Sequence, residues 1–236
     1  MTAGTERGRE PAWVDVLAWF DTIDAIIRGL GHSLNNRALA LGATIESMDS
    51  RRPVGQELSS VLTREAERLA EQLRQLRALP FAAESEPMPL LLRDVLTAAV
   101  QLHRAHASLG TVPVYLDGTA DAPPVLAPES RLMHALLVTL TALKDYASPG
   151  GVVRIDYAGT AELAEIRFTA ERDPSDAHTS ATPSLVRPTA LTAALLHAAR
   201  IEIEQRIGPQ SATITWALPS LRAMRRLQRE GQAATR

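Results

Sequence analysis

The first eighty residues carry a helical hydrophobic pattern. Across residues 13–48 apolar side chains recur at alternating intervals of three and four, which is the spacing of one apolar stripe along an α-helix. The stripe consists of Phe20, Ile23, Ile27, Leu30, Leu34, Ala38, Leu41, Ile45 and Met48. A polar break containing Pro53 follows. A second stripe over residues 54–79 consists of Leu58, Leu62, Ala66, Leu69, Leu73 and Leu76.

Two helices joined by so short a turn are expected to form an antiparallel hairpin. In a hairpin each helix has only one partner to cover its apolar stripe. Association of two hairpins into a dimeric four-helix bundle would complete the burial, so we expect a homodimer. The alternative is that both stripes pack against the rest of the same chain.

The second part of the chain has a mixed pattern and follows a short acidic, proline-containing stretch. Helices are predicted at residues 90–108, 129–147 and 189–200, and strands at 112–116, 152–157, 164–169, 201–205 and 212–218. The predicted domains are a disordered N-terminus at 1–12, the hairpin at 13–79, a linker at 80–89, an α/β domain at 90–219 and a tail at 220–236. The tail has five arginines and one glutamate and is expected to be a frayed helix; the alternative is a docking segment for an acidic receiver surface or for nucleic acid. The fold class expected is α+β.

Composition narrows the class of protein. The formal net charge of -2 gives no field that would attract nucleic acid or an anionic membrane. The absence of cysteine excludes disulfides and thiolate metal sites. No apolar run approaches the roughly 20 residues that a membrane span needs. We therefore expect a cytoplasmic protein with neither nucleic acid nor membrane as a partner.

His32 is the residue with the clearest candidate chemistry. It lies two positions from both Leu30 and Leu34, which places it roughly 160–200° from the apolar stripe at about 100° per residue. The imidazole should therefore face solvent, with Arg28 and Asn36 one turn away on either side. A neutral exposed imidazole is an able nucleophile toward phosphorus, a nearby arginine can stabilise phosphoryl charge, and Asn36 can orient water or the phosphoryl group. The alternative is an ordinary surface histidine.

The other histidines and the two glycines before His32 are less informative. No ligand spacing with carboxylates is visible at the remaining histidines, which we interpret as structural or surface residues: His103, His106, His134, His178 and His197. Gly29 and Gly31 weaken the helix by about 1 kcal/mol each relative to alanine. Local bending is one interpretation of these glycines, and no role is the other.

Residues 31–36 (Gly-His-Ser-Leu-Asn-Asn) are similar to the H-box of bacterial histidine kinases, in which an acidic residue usually follows the histidine and Asn or Thr stands four positions after it. Residues 129–147 are similar to the N-box helix of that family, and residues 213–219 resemble the last strand of its ATPase domain. Over residues 20–219 the chain therefore resembles the histidine-kinase core, a phosphotransfer hairpin followed by a GHKL-type ATPase domain folded as an α/β sandwich.

The H-box of this chain departs from the family pattern at two positions. The acidic residue that assists autophosphorylation as a base in the family is replaced by Ser33, which cannot serve as a base at neutral pH. The asparagine implicated in the reverse, phosphatase reaction is retained as Asn36. The proline that usually follows it is replaced by Arg37.

The ATPase half departs further from the family. The two N-box asparagines fall on Val138 and Ala142, whose methyl groups cannot coordinate Mg²⁺. The two glycine-rich segments are replaced by residues 171–176 and 183–188, neither of which contains a glycine. Without glycine the backbone cannot easily approach phosphates. The resemblance therefore implies a degenerate ATPase domain that does not use ATP.

A kinase-like hairpin paired with a degenerate ATPase domain resembles the dimeric histidine phosphotransferases. The resemblance implies that His32 accepts a phosphoryl group from one receiver-domain aspartate and donates it to another, assisted by Arg28 and Asn36. Response-regulator receiver domains are the implied partners, with a hybrid sensor kinase as a further one. Mg²⁺ would be held by the receiver, so no cofactor is expected on this chain.

Two other functions remain open at the level of sequence. One is a non-catalytic, pseudokinase-like adaptor that binds and regulates a response regulator or sensor kinase through the same face of the bundle. The other is a divergent kinase that still uses ATP. A phosphatase acting through Asn36 is a variant of the phosphotransfer and adaptor hypotheses.

Overall fold

The computed structural model describes residues 13–46, 56–79, 86–119, 122–173 and 201–234. The helices are α1 (Trp13–Glu46), α2 (Gln56–Ala78), α3 (Leu92–His103), α4 (Glu129–Ala147) and α5 (Leu221–Ala234). The strands are β1 (Met88–Leu90), β2 (Val114–Gly118), β3 (Val125–Ala127), β4 (Val152–Gly159), β5 (Leu163–Glu171), β6 (Glu202–Ile207) and β7 (Ser211–Pro219). Among these helices none combines the length and apolar character needed to cross a bilayer.

A five-stranded sheet forms one layer of the α/β part. Its strand order is β2-β4-β5-β7-β6, with β2 parallel to β4 and the other neighbours antiparallel. Burial alternates along β5 and β7, so that one face of the sheet is apolar. The rings of Phe168 and Trp216 meet on that face, with their centroids 4.9 Å apart. The result is a two-layer sandwich with helices packed on the apolar face of the sheet.

Helix α4 forms the centre of the core. It coincides with the helix predicted at residues 129–147 and is buried on most of its circumference, which explains its nearly continuous apolar sequence. Residues of α4 that are at most 1% exposed include Leu132, Leu136, Leu137, Leu140 and Leu143. The α+β class is therefore confirmed for the part of the chain that the structure describes.

A small second sheet differs from the sequence prediction. Strands β1 and β3 pair antiparallel, with Met88 opposite Ala127 and Leu90 opposite Val125. Strand β1 begins inside the stretch predicted to be a linker. Strands of three residues are too short to show a period, and the prolines at positions 87 and 89 disguise β1 further.

Several predicted boundaries shift in the structure. Helix α3 ends at His103, five residues before the predicted end, because residues 104–110 turn to meet α1. Strand β2 begins at Val114 rather than at residue 112. The predicted disordered N-terminus at 1–12, the turn around Pro53 and the helix at 189–200 lie outside the described residues.

The apolar stripe of α1 is divided between two faces. Ile23 and Leu30 are buried together with Ile26, which the predicted stripe did not include, and the three belong to the hydrophobic core. Phe20 and Ile45 remain 60% and 58% exposed. The prediction of a single stripe is therefore wrong in the first half of α1, because positions 23, 26 and 30 form a second face that packs on the α/β part of the same chain.

The tail is a docked helix at its start, contrary to the prediction of a frayed one. Ser220 caps α5: its hydroxyl accepts a hydrogen bond from the Ala223 N–H at 3.1 Å and donates one to the Ala161 carbonyl at 2.7 Å. Ala223 is buried, and Arg226 forms an ion pair with Glu162 at 3.0 Å. The first turn of α5 therefore belongs to the folded domain.

Candidate functional site

His32 lies on the solvent-exposed face of α1, as predicted. The amide nitrogen of Asn36, one turn later, lies 3.1 Å from Nε2 of His32. An amide nitrogen can only donate, so in this arrangement Nε2 is the acceptor and the ring proton is on Nδ1. The spacing of four residues on a helix is what brings the two side chains together.

Arg28, the third predicted site residue, lies one turn before His32 and forms an ion pair with Asp24. Both side chains are largely exposed, at 72% and 62%. Arg28 therefore lies beside the same cleft as His32, but its guanidinium is engaged by a carboxylate on the side away from Asn36.

The two residues that depart from the H-box pattern connect α1 to α2. The buried Gln72 donates a hydrogen bond from Nε2 to Oγ of Ser33. Arg37 forms an ion pair with Glu65 at 3.0 Å, and Arg68 binds the same carboxylate. Hydrogen bonding from Arg68, together with that from Arg37, holds the pKa of Glu65 below its usual range. These contacts fix the hairpin around His32.

A cleft of about 890 Å³ opens beside His32, between the hairpin and the α/β part. The hairpin contributes Arg28, His32, Ser33, Glu71 and Gln72 to its walls, and the α/β part contributes Gln101, Arg104 and His106. Sequence analysis did not identify this second group, because residues seventy positions apart come together only in the folded chain.

Gly29 allows the close approach that forms the cleft. A Cβ added to Gly29 would lie 1.7 Å from the carbonyl oxygen of Ala105, a distance that no side chain can occupy. Next to it, the Ala107 N–H donates a hydrogen bond to the Ala25 carbonyl at 3.1 Å. A Cβ at Gly31 would meet nothing within 4 Å. The close approach of Ala105 therefore explains why position 29 is a glycine, whereas nothing in the structure explains the glycine at position 31.

A buried basic cluster lies behind the cleft. His103 is fully buried, bonded through Nε2 to Oγ1 of Thr141 at 2.8 Å, with its Nδ1 3.5 Å from the amine of Lys144. Burial, followed by the nearby Lys144 charge, lowers the pKa of His103 well below 6.5. Burial, followed by the Arg104 charge, lowers the pKa of Lys144 to about 8.

The remaining described histidines occupy structural positions, as predicted. His106 stacks on His103 with ring centroids 5.0 Å apart, and burial together with the Lys144 charge lowers its pKa. His134 packs against Trp19 at 3.9 Å between centroids. Within the described residues no group of three or more His, Asp or Glu could hold a metal ion. His178 and His197 lie outside those residues.

The positions that correspond to the family's nucleotide site hold side chains of another kind. Val138 and Ala142 are buried and offer only hydrocarbon where a Mg²⁺–nucleotide would need oxygen ligands. After β5, Arg172 donates hydrogen bonds to the carbonyls of Tyr146 at 3.0 Å and Pro209 at 3.4 Å, and its guanidinium lies 4.5 Å from the Tyr146 ring centroid. None of these three side chains offers an oxygen ligand to a metal ion.

A helical hairpin followed by a five-stranded α/β sandwich is a mixed α+β architecture. The chain is similar to a histidine kinase from Burkholderia phymatum STM815, at 17% identity, with 88% of this chain and 98% of that chain covered and a TM-score of 0.48. It is similar to a bacterial phosphotransferase at 16% identity, with 89% and 98% covered and a TM-score of 0.47.

A third similar structure is the histidine kinase ThkA in complex with the response regulator protein TrrA, at 10% identity, with 81% of this chain and 60% of that chain covered and a TM-score of 0.46. No protein-family model and no curated protein matches the sequence.

Proposed function

We propose that this chain is a cytoplasmic histidine phosphotransfer protein of a two-component phosphorelay. It accepts a phosphoryl group from the aspartate of one receiver domain and donates it to the aspartate of another through His32, without ATP. The observation that carries this proposal is the exposed imidazole, held through Nε2 by Asn36 at the mouth of a cleft large enough for a loop of a partner protein.

The proposed transfer needs only a nucleophile on this chain. The lone pair on Nε2 of His32 attacks phosphorus, the P–N bond forms, and the P–O bond to the aspartate breaks. The aspartate leaves as a carboxylate with the bonding electron pair, while the ring proton stays on Nδ1. Asn36 releases Nε2 as phosphorus arrives. The reverse sequence passes the phosphoryl group to the second aspartate. Mg²⁺ belongs to the receiver domain, where oxygen ligands suit it.

The hairpin supports transfer between proteins better than autophosphorylation. The hydroxyl of Ser33 accepts a hydrogen bond from Gln72 and stands where a kinase would have a carboxylate base. Arg28 lies close enough to the cleft to assist in binding the phosphoryl group if its pairing with Asp24 yields. The proposed transfer needs no metal or nucleotide ligand from Val138 or Ala142.

Exposed apolar side chains on the hairpin support a homodimer through a four-helix bundle. They lie on both helices, although α1 already buries one face on its own chain. They are Phe20, Ile27, Ile45, Val61 and Leu73, which are between 39% and 60% exposed. A second hairpin is the partner that would bury them, because two such hairpins complete a four-helix core.

The proposal is tested by phosphotransfer from receiver domains of the same genome charged with acetyl phosphate. The wild type should acquire acid-labile label, His32→Ala should acquire none, and Asn36→Ala should be labelled more slowly. ATP with Mg²⁺ but no receiver should leave the wild type unlabelled. Label that persists in His32→Ala would contradict the proposal.

The adaptor function would use the same cleft, because its walls from the hairpin and the α/β part could hold a loop of a receiver without any chemistry at His32. The two functions separate in the cell. If His32→Ala restores full signalling to a deletion strain, the chain acts by binding alone. If it restores none while the variant protein still binds the receiver, transfer through His32 is required.

A further inference from the structure

We propose that Arg104, supplied by the α/β part, contacts the phosphoryl group on His32 and stabilises it during transfer. This inference rests on the phosphotransfer role proposed for His32. It assigns to the ATPase-like half a direct part in the chemistry of the hairpin.

The backbone brings Arg104 to His32. Arg104 is the C-cap of α3, and the next residue, Ala105, has its carbonyl against Gly29. Gly29 is three residues before His32, a rise of about 4.5 Å along the helix axis. Both Arg104 and His32 line the cleft. The side chains of Arg104 from the α/β part and His32 from the hairpin therefore belong to one cleft.

The charges in the cleft favour Arg104 over Arg28 as the cation that meets the phosphoryl group. Arg28 is neutralised by Asp24, and Glu71, the acidic residue in the cleft wall, is bound to Arg74. Within the described ranges, Arg104 is exposed and forms no ion pair. The positive charge of Arg104 in the cleft is therefore not cancelled by a carboxylate among the residues that the structure describes.

The buried cluster of Lys144 and His103 behind Arg104 also favours binding of an anion at this place. Lys144 is 1% exposed, and its amine has the Nδ1 of His103 as its neighbour among the described side chains. Arg104 lies near enough for its charge to add to the effect of burial on Lys144. The mutual repulsion of these two cations would be relieved by an incoming dianion, although Asp145 beside His106 offsets part of it.

The chemistry suits a guanidinium. Negative charge in the transferring phosphoryl group is spread over three equatorial oxygens, and catalysis of such a step consists largely of positioning and charge stabilisation. A guanidinium can donate two parallel N–H bonds to two of those oxygens. Arg104 neither gains nor loses a proton, so the bonds made and broken at His32 are unchanged.

The first test compares transfer rates by rapid quench, using Arg104→Gln, Arg104→Lys and the control Arg93→Gln. Arg93 is an exposed arginine on the same helix, eleven residues and about 16 Å away along the axis. We expect Arg104→Gln to slow labelling of His32 by about 100- to 1,000-fold, comparable to the loss of one transition-state donor. Arg104→Lys should recover part of the rate, and Arg93→Gln should stay within about twofold of wild type. A rate for Arg104→Gln within twofold of wild type would overturn the proposal.

A second test does not depend on any receiver. Potassium phosphoramidate phosphorylates exposed histidines directly, with ammonia as the leaving group, and the phosphohistidine signal absent from His32→Ala belongs to His32. In a ³¹P NMR titration the phosphoryl group should ionise at lower pH in wild type than in Arg104→Gln, because the cation favours the dianion. Arg104→Lys should resemble wild type.

The two tests separate the two proposals. If phosphoramidate labels His32 and the titrations differ but no receiver labels it, the relay function fails while the assignment of Arg104 stands. If a receiver labels His32 and the titration and transfer rate of Arg104→Gln both match wild type, the relay function stands and Arg104 has no part. If His32 is labelled by neither donor, both proposals are overturned.

Discussion

Single residues that break the family pattern are built into this fold. Ser33 accepts a hydrogen bond from the second helix, Arg37 forms an ion pair with Glu65, and Arg172 binds carbonyls of two other segments. Each of these side chains therefore has a structural partner, and the contacts of Ser33 and Arg37 hold α1 against α2.

A substitution at Gly29 tests the contact between α1 and the turn that follows α3. In Gly29→Ala the new Cβ would collide with the Ala105 carbonyl, so the backbone of α1 or of the turn must move. We expect a loss of about 2 kcal/mol or more in the free energy of unfolding, measured by urea denaturation.

Gly31→Ala is the matched control, because its Cβ would lie in open space. It should stabilise the protein by about 0.5–1 kcal/mol through higher helix propensity. Equal effects of the two substitutions would contradict the close approach at Gly29.

Lys144 gives a prediction about pH. Its pKa is lowered from 10.5 to about 8 in the folded protein, which corresponds to about 3 kcal/mol of destabilisation at neutral pH. Between pH 8 and about 10 the unfolded chain carries a proton that the folded chain lacks, so stability should rise as pH rises through this window. Above pH 10 the raised pKa of Tyr146, caused by its burial, opposes the trend.

Replacing Lys144 by methionine removes the buried charge and retains most of the volume. Lys144→Met should be more stable than wild type at pH 7 by up to about 3 kcal/mol, and its free energy of unfolding should not rise between pH 8 and 9.5. Urea denaturation across this range measures both. If both proteins show the same pH dependence, the lysine is not buried as a charged group.

At the level of elements, the tail helix α5 provides a separate test. Ser220→Ala removes both the N-cap bond to Ala223 and the bond to the Ala161 carbonyl. The expected cost is about 1–2 kcal/mol in thermal or urea unfolding. Ser211→Ala, at the exposed first residue of β7, should change stability by less than about 0.5 kcal/mol. A silent Ser220→Ala would mean that α5 is frayed after all.

Long elements with a clear hydrophobic period were predictable from the sequence. Very short strands, and the division of one helix between two packing faces, were not. Helix α4 and strands β4, β5 and β7 follow directly from their hydrophobic periods. Strands β1 and β3 have three residues each, too few to show a period. The division of the α1 stripe depends on which face meets the sandwich, and that is a tertiary contact that local pattern does not contain.

At the scale of the whole molecule, the site also combines features set by local sequence with features set by tertiary contacts. The placement of His32 and its contact with Asn36 follow from helical spacing alone. The cleft wall formed by Gln101, Arg104 and His106 depends on the docking of α3 against α1. The two glycines before His32 were the sequence feature that hinted at this contact between α1 and α3. Their spacing did not show which of the two lies at the contact.

The proposed dimer can be tested with one charged substitution. Ile45 belongs to the apolar stripe of α1 and is 58% exposed, so Ile45→Glu should leave the monomer folded and place a carboxylate in the proposed bundle interface. We expect the molar mass from light scattering to fall from that of a dimer to that of a monomer at micromolar concentration. Leu91→Glu changes a residue that is 54% exposed outside the hairpin and should remain dimeric. A wild type that is monomeric, or an Ile45→Glu dimer, would contradict the bundle.

The central claim is that His32 relays a phosphoryl group between two receivers, and the most direct measurement follows one label through three proteins. A charged receiver, this chain and a second, uncharged receiver of the same genome are mixed, and label on each is followed with time. The account predicts that label passes transiently through His32 and accumulates on the second receiver, and that His32→Ala abolishes the transfer. Transfer that proceeds equally well with His32→Ala, or label that never leaves the first receiver for any partner tested, would contradict it.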